Sequence, residues 1–83
     1  MANFYFTFGS HPAFPYGRED FVQVIAPTIR QAAETYRDHH PDRAETPGLL
    51  NCSDVYTEEM FSKFRNEFYP NRDPIEILTY QGS

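Results

Sequence analysis

The chain has one cysteine, no tryptophan and no long apolar run, and these shortages exclude several classes of protein. A single cysteine, Cys52, excludes an intrachain disulfide and is typical of a reducing compartment. No apolar run approaches the roughly 20 residues that a membrane-spanning helix needs. The first residues also lack the basic and apolar regions of a signal peptide. We therefore expect a soluble, cytoplasmic protein.

Basic residues are scarce as well. Seven Lys and Arg stand against twelve Asp and Glu, so the net charge is −5. Proteins that bind nucleic acids or anionic membrane surfaces need clustered Lys and Arg. The composition therefore argues against direct binding to nucleic acid or membrane and favours a protein partner with a basic surface.

Aromatic residues are abundant, with eight Phe and six Tyr in 83 residues. A chain of this length forms one small domain with a thin core. Each buried aromatic side chain removes about 150–250 Å² from water, which stabilises such a core without disulfides or a metal. We expect a single domain over residues 1–83.

Apolar periodicity in the first half of the chain predicts two strands and a helix. Phe4, Phe6 and Phe8 alternate with polar or amphipathic residues, which predicts a strand over 3–8 with these rings in the core. The prolines and glycines of 9–19 predict a loop. Residues 20–26 are predicted as a second strand; helical spacing also fits them, but the following proline disfavours it. A helix is then predicted to begin at the proline and to continue to about residue 40, with the stripe Ile29, Ala32, Ala33 and Tyr36 on the core.

The second half of the chain is predicted to contain a strand, a helix and a last strand. Residues 41–48 are a polar loop, and 49–53 are predicted as a short buried strand. Thr57 is expected to cap a helix, because acidic residues follow it in the first turn. An apolar stripe continues to Phe68 and predicts one uninterrupted helix. Residues 75–80 alternate again and are predicted as a strand.

This order, ββαβαβ, predicts an α+β fold with one sheet and two helices packed on one face. The other face of the sheet would then be open, with Tyr5, Thr7 and Tyr80 on it. We expect a homodimer to form through that open face.

Residues with chemical potential are few, and each has a structural interpretation. His39 and His40 are adjacent, whereas two histidines on a metal-binding helix stand four residues apart. Cys52 lies outside the local signatures of cysteine enzymes and is interpreted as a small apolar residue. Acids at 54, 58 and 59 stand where a helix dipole favours them. We expect no catalytic residues, no metal, no cofactor and no enzymatic activity.

The loop after the first strand is the expected binding site. Its candidate residues combine anion-binding and aromatic side chains: Ser10, His11, Phe14, Tyr16 and Arg18. Together they could hold an anionic or aromatic ligand. The alternative is that the loop folds Phe14 beneath itself as part of a minor core.

Four segments carry a resemblance: 4–10 (FYFTFGS), 14–17 (FPYG), 50–52 (LNC) and 56–61 (YTEEMF). In these the chain resembles short proteins encoded by phages, prophages and other mobile elements of Gram-positive bacteria. The resemblance implies an accessory protein that acts by binding. Inhibitors of host defence, including acidic anti-CRISPR proteins, are one such class.

Two functions remain open from the sequence. The first is a small acidic interaction protein that binds a host protein and inhibits or modulates it. The second is a protein that binds or sequesters a small ligand or nucleotide through the aromatic loop 9–18. A pre-organised catalytic site is the least favoured, because a chain of this length has little room for one beside its core.

Overall fold

A computed structural model describes residues 1–82 and forms a four-stranded mixed sheet with three short helices. The elements in chain order are β1 (Ala2–Thr7), β2 (Phe21–Ala26), α1 (Ile29–His39), β3 (Asp54–Thr57), α2 (Glu58–Ser62), α3 (Arg65–Phe68) and β4 (Glu76–Thr79). The strand order is β3-β1-β2-β4. β1 is antiparallel to both β2 and β3, and β4 is parallel to β2. The predicted α+β fold class is confirmed.

The helices lie on opposite faces of the sheet, which differs from the prediction of both on one face. Tyr36 of α1 stacks on Phe6, with 4.5 Å between ring centroids. Phe61 of α2 stacks on Tyr5 at 4.4 Å. Because successive side chains of a strand point to opposite faces, contacts with Phe6 and with Tyr5 place the two helices on opposite sides.

The strand order explains this placement. β2, β3 and β4 all run in one direction, so α1 forms a crossover between parallel strands, and α2 with α3 forms another. The first crossover runs from the centre of the sheet to the β3 edge, and the second runs back to the opposite edge. Two crossovers that run in opposite directions have the same hand only on opposite faces, and parallel crossovers share one hand almost without exception.

Each face of the sheet therefore has its own aromatic core. The α1 face buries residues of β1, β2, α1 and β4 and the residue that follows β1: Phe4, Phe6, Phe8, Val22, Val24, Ala26, Ala32, Tyr36 and Leu78. The opposite face buries Tyr5, Phe21, Phe61 and Tyr69. Ile29 of the predicted helix stripe is exposed instead.

The sheet face that was expected to be open is covered along β1. Tyr5 is 4% exposed and Thr7 is 6% exposed, and Tyr80 packs against the α1 core instead. Two of the three residues expected on the homodimer surface, Tyr5 and Thr7, are thus buried within the chain. The physical reason is that a tyrosine suits either side of a strand, since its ring is apolar and only its hydroxyl needs a polar partner.

Two predicted elements are displaced or divided. The strand predicted over 49–53 is displaced: β3 begins at Asp54, and Gly48, with a φ of 91°, closes a turn where the predicted strand would begin. The amide of Leu49 donates to the Thr46 carbonyl in that turn and is lost to any strand. The helix predicted to run to Phe68 is interrupted between α2 and α3.

Local signals at the helix starts behave as their chemistry predicts. Thr57 caps α2, since its hydroxyl accepts from the Met60 amide at 3.3 Å. α1 begins two residues later than predicted: Thr28 is its cap and accepts from the Gln31 amide at 3.2 Å. Within residues 1–82, no helix has the length and apolar character to cross a membrane.

Candidate binding groove

A groove of about 740 Å³ lies beside β3 on the α2–α3 face, and we call it the aromatic groove. Its lining comes from the loop after β1, from β3 and from α3 with the residues that flank it. The lining residues are Thr7, Phe8, Gly9, Ser10, Arg18, Glu19, Ser53, Asp54, Tyr56, Phe64, Phe68 and Tyr69.

One wall of the aromatic groove is a row of rings in edge-to-face contact. Tyr56 meets Phe64 at 4.9 Å between centroids, and Phe64 meets Phe68 at 5.8 Å. Phe61 backs this row at 5.3 Å from Phe64 and joins it to the core. Such contacts hold the rings in fixed orientations, so the wall is pre-organised.

The break between α2 and α3 creates this wall. The amides of Lys63 and Phe64 donate to carbonyls only three residues earlier, at 3.3 and 3.2 Å, and this tightens and ends α2. The chain then restarts as α3 at Arg65. Phe68 therefore leaves the buried stripe and is 63% exposed at the rim of the aromatic groove.

The opposite side of the groove is polar and carries both acidic and basic side chains. The Ser53 hydroxyl donates to Asp54 Oδ2 at 3.2 Å. Arg72 donates to Glu19 Oε2 at 2.8 Å, and this hydrogen bond lowers the pKa of Glu19 below its ordinary value. Arg18 is exposed and forms no ion pair among residues 1–82.

Two tyrosines of the groove stay protonated well above neutral pH. Burial raises the pKa of Tyr56, and the charge of Asp54 raises it further. Burial also raises the pKa of Tyr69. The groove therefore offers an apolar wall, neutral hydroxyl donors and a carboxylate, a combination suited to a large apolar side chain with a polar or basic neighbour.

The structure brings the five predicted loop residues together around one cavity of about 490 Å³ formed by the loop itself. Ser10 and Arg18 also line the aromatic groove, whereas His11, Phe14 and Tyr16 do not. Ser10 and Arg18 thus stand between the two spaces.

Phe14 and Tyr16 are half-buried and extend the α1-side core. Phe14 lies 6.3 Å from the Phe8 ring, and Tyr16 lies 5.4 Å from it. The guanidinium of Arg43 covers Phe14 at 5.4 Å from the ring centroid. The structure thus has Phe14 packed under its loop, as in the alternative interpretation, and joined to the main core.

A polar cluster that the sequence does not reveal lies beneath the same loop. His40 Nε2 is 2.7 Å from Glu76 Oε1, and the Tyr16 hydroxyl donates to the same oxygen at 3.4 Å. His39 instead contacts the main-chain oxygen of Thr35 through Nδ1 at 3.1 Å. The adjacent histidines therefore point to different partners. This cluster connects the loop to α1 and β4.

Within residues 1–82, no group of three or more His, Cys, Asp or Glu side chains is arranged to hold a metal ion. Cys52 packs against the core, and burial raises the pKa of its thiol to about 12. At neutral pH the thiol is protonated and therefore a poor nucleophile.

Sequence reasoning missed the groove residues Tyr56, Phe64 and Phe68 because helical spacing assigned the last two to the core. The signal available in the sequence was the number of aromatic residues, because fourteen exceed what the thin core of an 83-residue chain can bury.

No protein-family model, curated protein or solved structure matches the chain.

Proposed function

We propose that the protein is a small acidic interaction protein that binds a segment of a partner protein in the aromatic groove and thereby inhibits or modulates that partner. The observation that carries the proposal is the exposed rim ring of Phe68 beside the fixed rings of Tyr56 and Phe64. Aromatic side chains around a pocket are the residues that dominate binding energy at protein interfaces.

The charge of the chain supports a protein partner over a nucleic acid. The net charge is −5, and the only cationic side chain among the described groove residues is Arg18, which shares the lining with the carboxylates of Glu19 and Asp54. A phosphate backbone would meet repulsion from this surface. A basic or apolar segment of a protein would be attracted by it.

The test compares substitutions of two exposed apolar residues. Phe68→Ser removes the rim ring, and Met60→Ser changes a residue of α2 that is 50% exposed and lies outside the groove. Immobilised wild-type protein and both variants are used to capture proteins from a bacterial lysate, and the affinity of any captured protein is then measured. We expect Phe68→Ser to weaken binding at least about tenfold, as for a hot-spot residue, and Met60→Ser to leave it unchanged.

Two outcomes would contradict the proposal. One is a partner that binds wild type and Phe68→Ser equally well. The other is the absence of any captured protein at low salt, where attraction between opposite charges is strongest.

The resemblance to proteins of mobile elements extends the proposal to a cytoplasmic host protein as the partner. The support for this is the resemblance, the single cysteine and the acidic composition. A captured partner with a measurable activity should lose it in a stoichiometric, salt-dependent way when the protein is added. Full activity at saturating protein would restrict the function to binding alone.

The alternative of a nucleotide or small-ligand binder depends on free rings in the loop 9–18. Phe14 and Tyr16 are half-buried and packed against Phe8, so they present little ring surface to a base. No observation of the site favours this alternative over the groove. A thermal-shift panel of nucleotides tests it directly, since a ligand of the folded state raises its stability.

A further inference from the structure

β3 is an edge strand, and it forms one rim of the aromatic groove. It pairs with β1 on one side, and no strand of residues 1–82 pairs with its other side. An edge strand offers a row of main-chain donors and acceptors to another chain. The aromatic groove thus lies next to a strand with main-chain groups available for pairing.

A second cavity flanks β3 on the opposite face of the sheet. This cavity, of about 500 Å³, is lined by Phe14, Arg43, Thr46, Gly48, Leu49, Leu50, Cys52, Ser53, Asp54 and Val55. Val55 pairs with Phe6 and lies on the α1 face, whereas Tyr56 pairs with Tyr5 and lies on the groove face. Each face of the same edge strand therefore has its own cavity, and Ser53 and Asp54 contribute to both.

We propose that the partner segment binds in extended conformation along the free edge of β3 and adds a fifth strand to the sheet. Its alternate side chains would enter the aromatic groove on one face and the second cavity on the other. In strand addition of this kind, main-chain hydrogen bonds supply affinity and pockets for alternate side chains supply specificity. The inference rests on the proposed function, because it specifies how the groove is used.

The charged residues at the two ends of β3 indicate which residues the ends of the partner segment should carry. Asp54 stands at the start of the strand, and Glu58 and Glu59 follow its end; all three are exposed. None of them forms an ion pair among the described residues. Four residues of strand span about 13 Å, so a segment of about six residues reaches both ends. A segment with apolar residues at its centre and a basic residue at each end is the complementary partner.

The other edge of the sheet is arranged differently. β4 exposes Ile77 on the face opposite α1, and Ile75 just before the strand is exposed too. A cavity of about 260 Å³ includes Thr79 of β4 and is otherwise lined by α1 and residues 80–82. At β3, in contrast, residues of the strand itself line a cavity on each face.

The probe for strand addition is a synthetic six-residue peptide with lysine at both ends and alternating phenylalanine and valine between them. Two further versions carry N-methyl groups, one on the phenylalanine amides and one on the valine amides. Amides of alternate residues point to opposite edges of a strand, so each version removes the donors of one edge and keeps every side chain.

We expect the parent peptide to bind with a Kd of about 1 mM or lower and to slow hydrogen exchange at those amides of Asp54–Thr57 that point away from β1. One methylated version should bind at least about tenfold more weakly, from the loss of two main-chain hydrogen bonds. Leu49→Ser should also weaken binding, because Leu49 is 63% exposed and lines the second cavity. Met60→Ser serves as the control variant.

The outcomes separate this inference from the proposed function. If the parent and both methylated peptides bind equally, or if the parent does not bind, strand addition at β3 is overturned. Partner capture that depends on Phe68 would still support the groove in that case. If capture is independent of Phe68 while the peptide binds along β3, the proposed use of the groove fails and the edge strand alone is the site.

Discussion

The hydroxyl of Tyr36 offers a test of how the α1-side core is connected to the loop before β3. Tyr36 is fully buried, and its hydroxyl donates to the main-chain oxygen of Asn51 at 2.7 Å. Its ring stacks on Phe6 and does not depend on the hydroxyl. Tyr36→Phe therefore removes one hydrogen bond and leaves the stacking intact.

The expected loss exceeds that of an average hydrogen bond. The Asn51 main-chain oxygen would lose its tyrosine donor in a region where the Asn51 side-chain oxygen is already buried without a partner in residues 1–82. A buried acceptor left unsatisfied costs about 1–3 kcal/mol. A chain of this length has a total stability of about 4–12 kcal/mol, so the change is a large fraction of it.

Urea unfolding followed by circular dichroism measures this loss. The matched control is Tyr16→Phe, since the Tyr16 hydroxyl is half-buried and its bond to Glu76 Oε1 is long, at 3.4 Å. We expect a loss of about 1–3 kcal/mol for Tyr36→Phe and under about 0.5 kcal/mol for Tyr16→Phe. Equal losses, or a Tyr36→Phe protein as stable as the wild type, would refute the assignment.

Two further predictions follow from local chemistry. The Cys52 thiol has a pKa raised from 9.0 to about 12 by burial, so at pH 8 its thiolate fraction is about a thousandfold below that of the unfolded chain. Iodoacetamide should therefore label it far more slowly in buffer than in urea at the same pH; rates within tenfold of each other would contradict the burial. Thr28→Ala removes the α1 cap and should cost about 1 kcal/mol, measured as a lower urea midpoint; an unchanged midpoint would show that the hydroxyl contributes nothing.

The sequence alone predicts the first strand and its inner face well, for a physical reason. Three phenylalanines at period two can be buried together only in an extended chain, and β1 places them on one face. The α1 stripe around Ala32 and Tyr36 and the cap of Thr57 depend equally on local spacing. Local rules therefore predict these elements to within one or two residues.

The face that α2 covers cannot be predicted from local spacing. It depends on the strand order, because the return crossover from β3 to β4 must use the opposite face to keep the same hand. Tyr5 is compatible with either side of the strand, so its residue type does not decide the matter. The expectation of an open face followed from assigning both crossovers to one side.

The groove could not be predicted from the sequence either, because it depends on three features that combine only in the folded chain. These are the break before α3, the start of β3 at Asp54 and the position of the loop that carries Ser10 and Arg18. A shift of β3 by one residue would exchange Tyr56 and Val55 between the faces. The site is therefore a property of register and topology.

The lengths of the helices raise a competing explanation for the aromatic groove. α1 has eleven residues and spans about 16 Å, whereas α2 and α3 have five and four residues and span about 7 and 6 Å. The face with the shorter helices is covered less completely, and Phe68 could serve only as partial cover for it. The two roles of Phe68, covering the core and binding a partner, predict different results for Phe68→Ser. If Phe68 serves as cover, Phe68→Ser lowers the free energy of unfolding; if it serves binding, stability stays within about 0.5 kcal/mol, as for a surface substitution, while partner affinity falls.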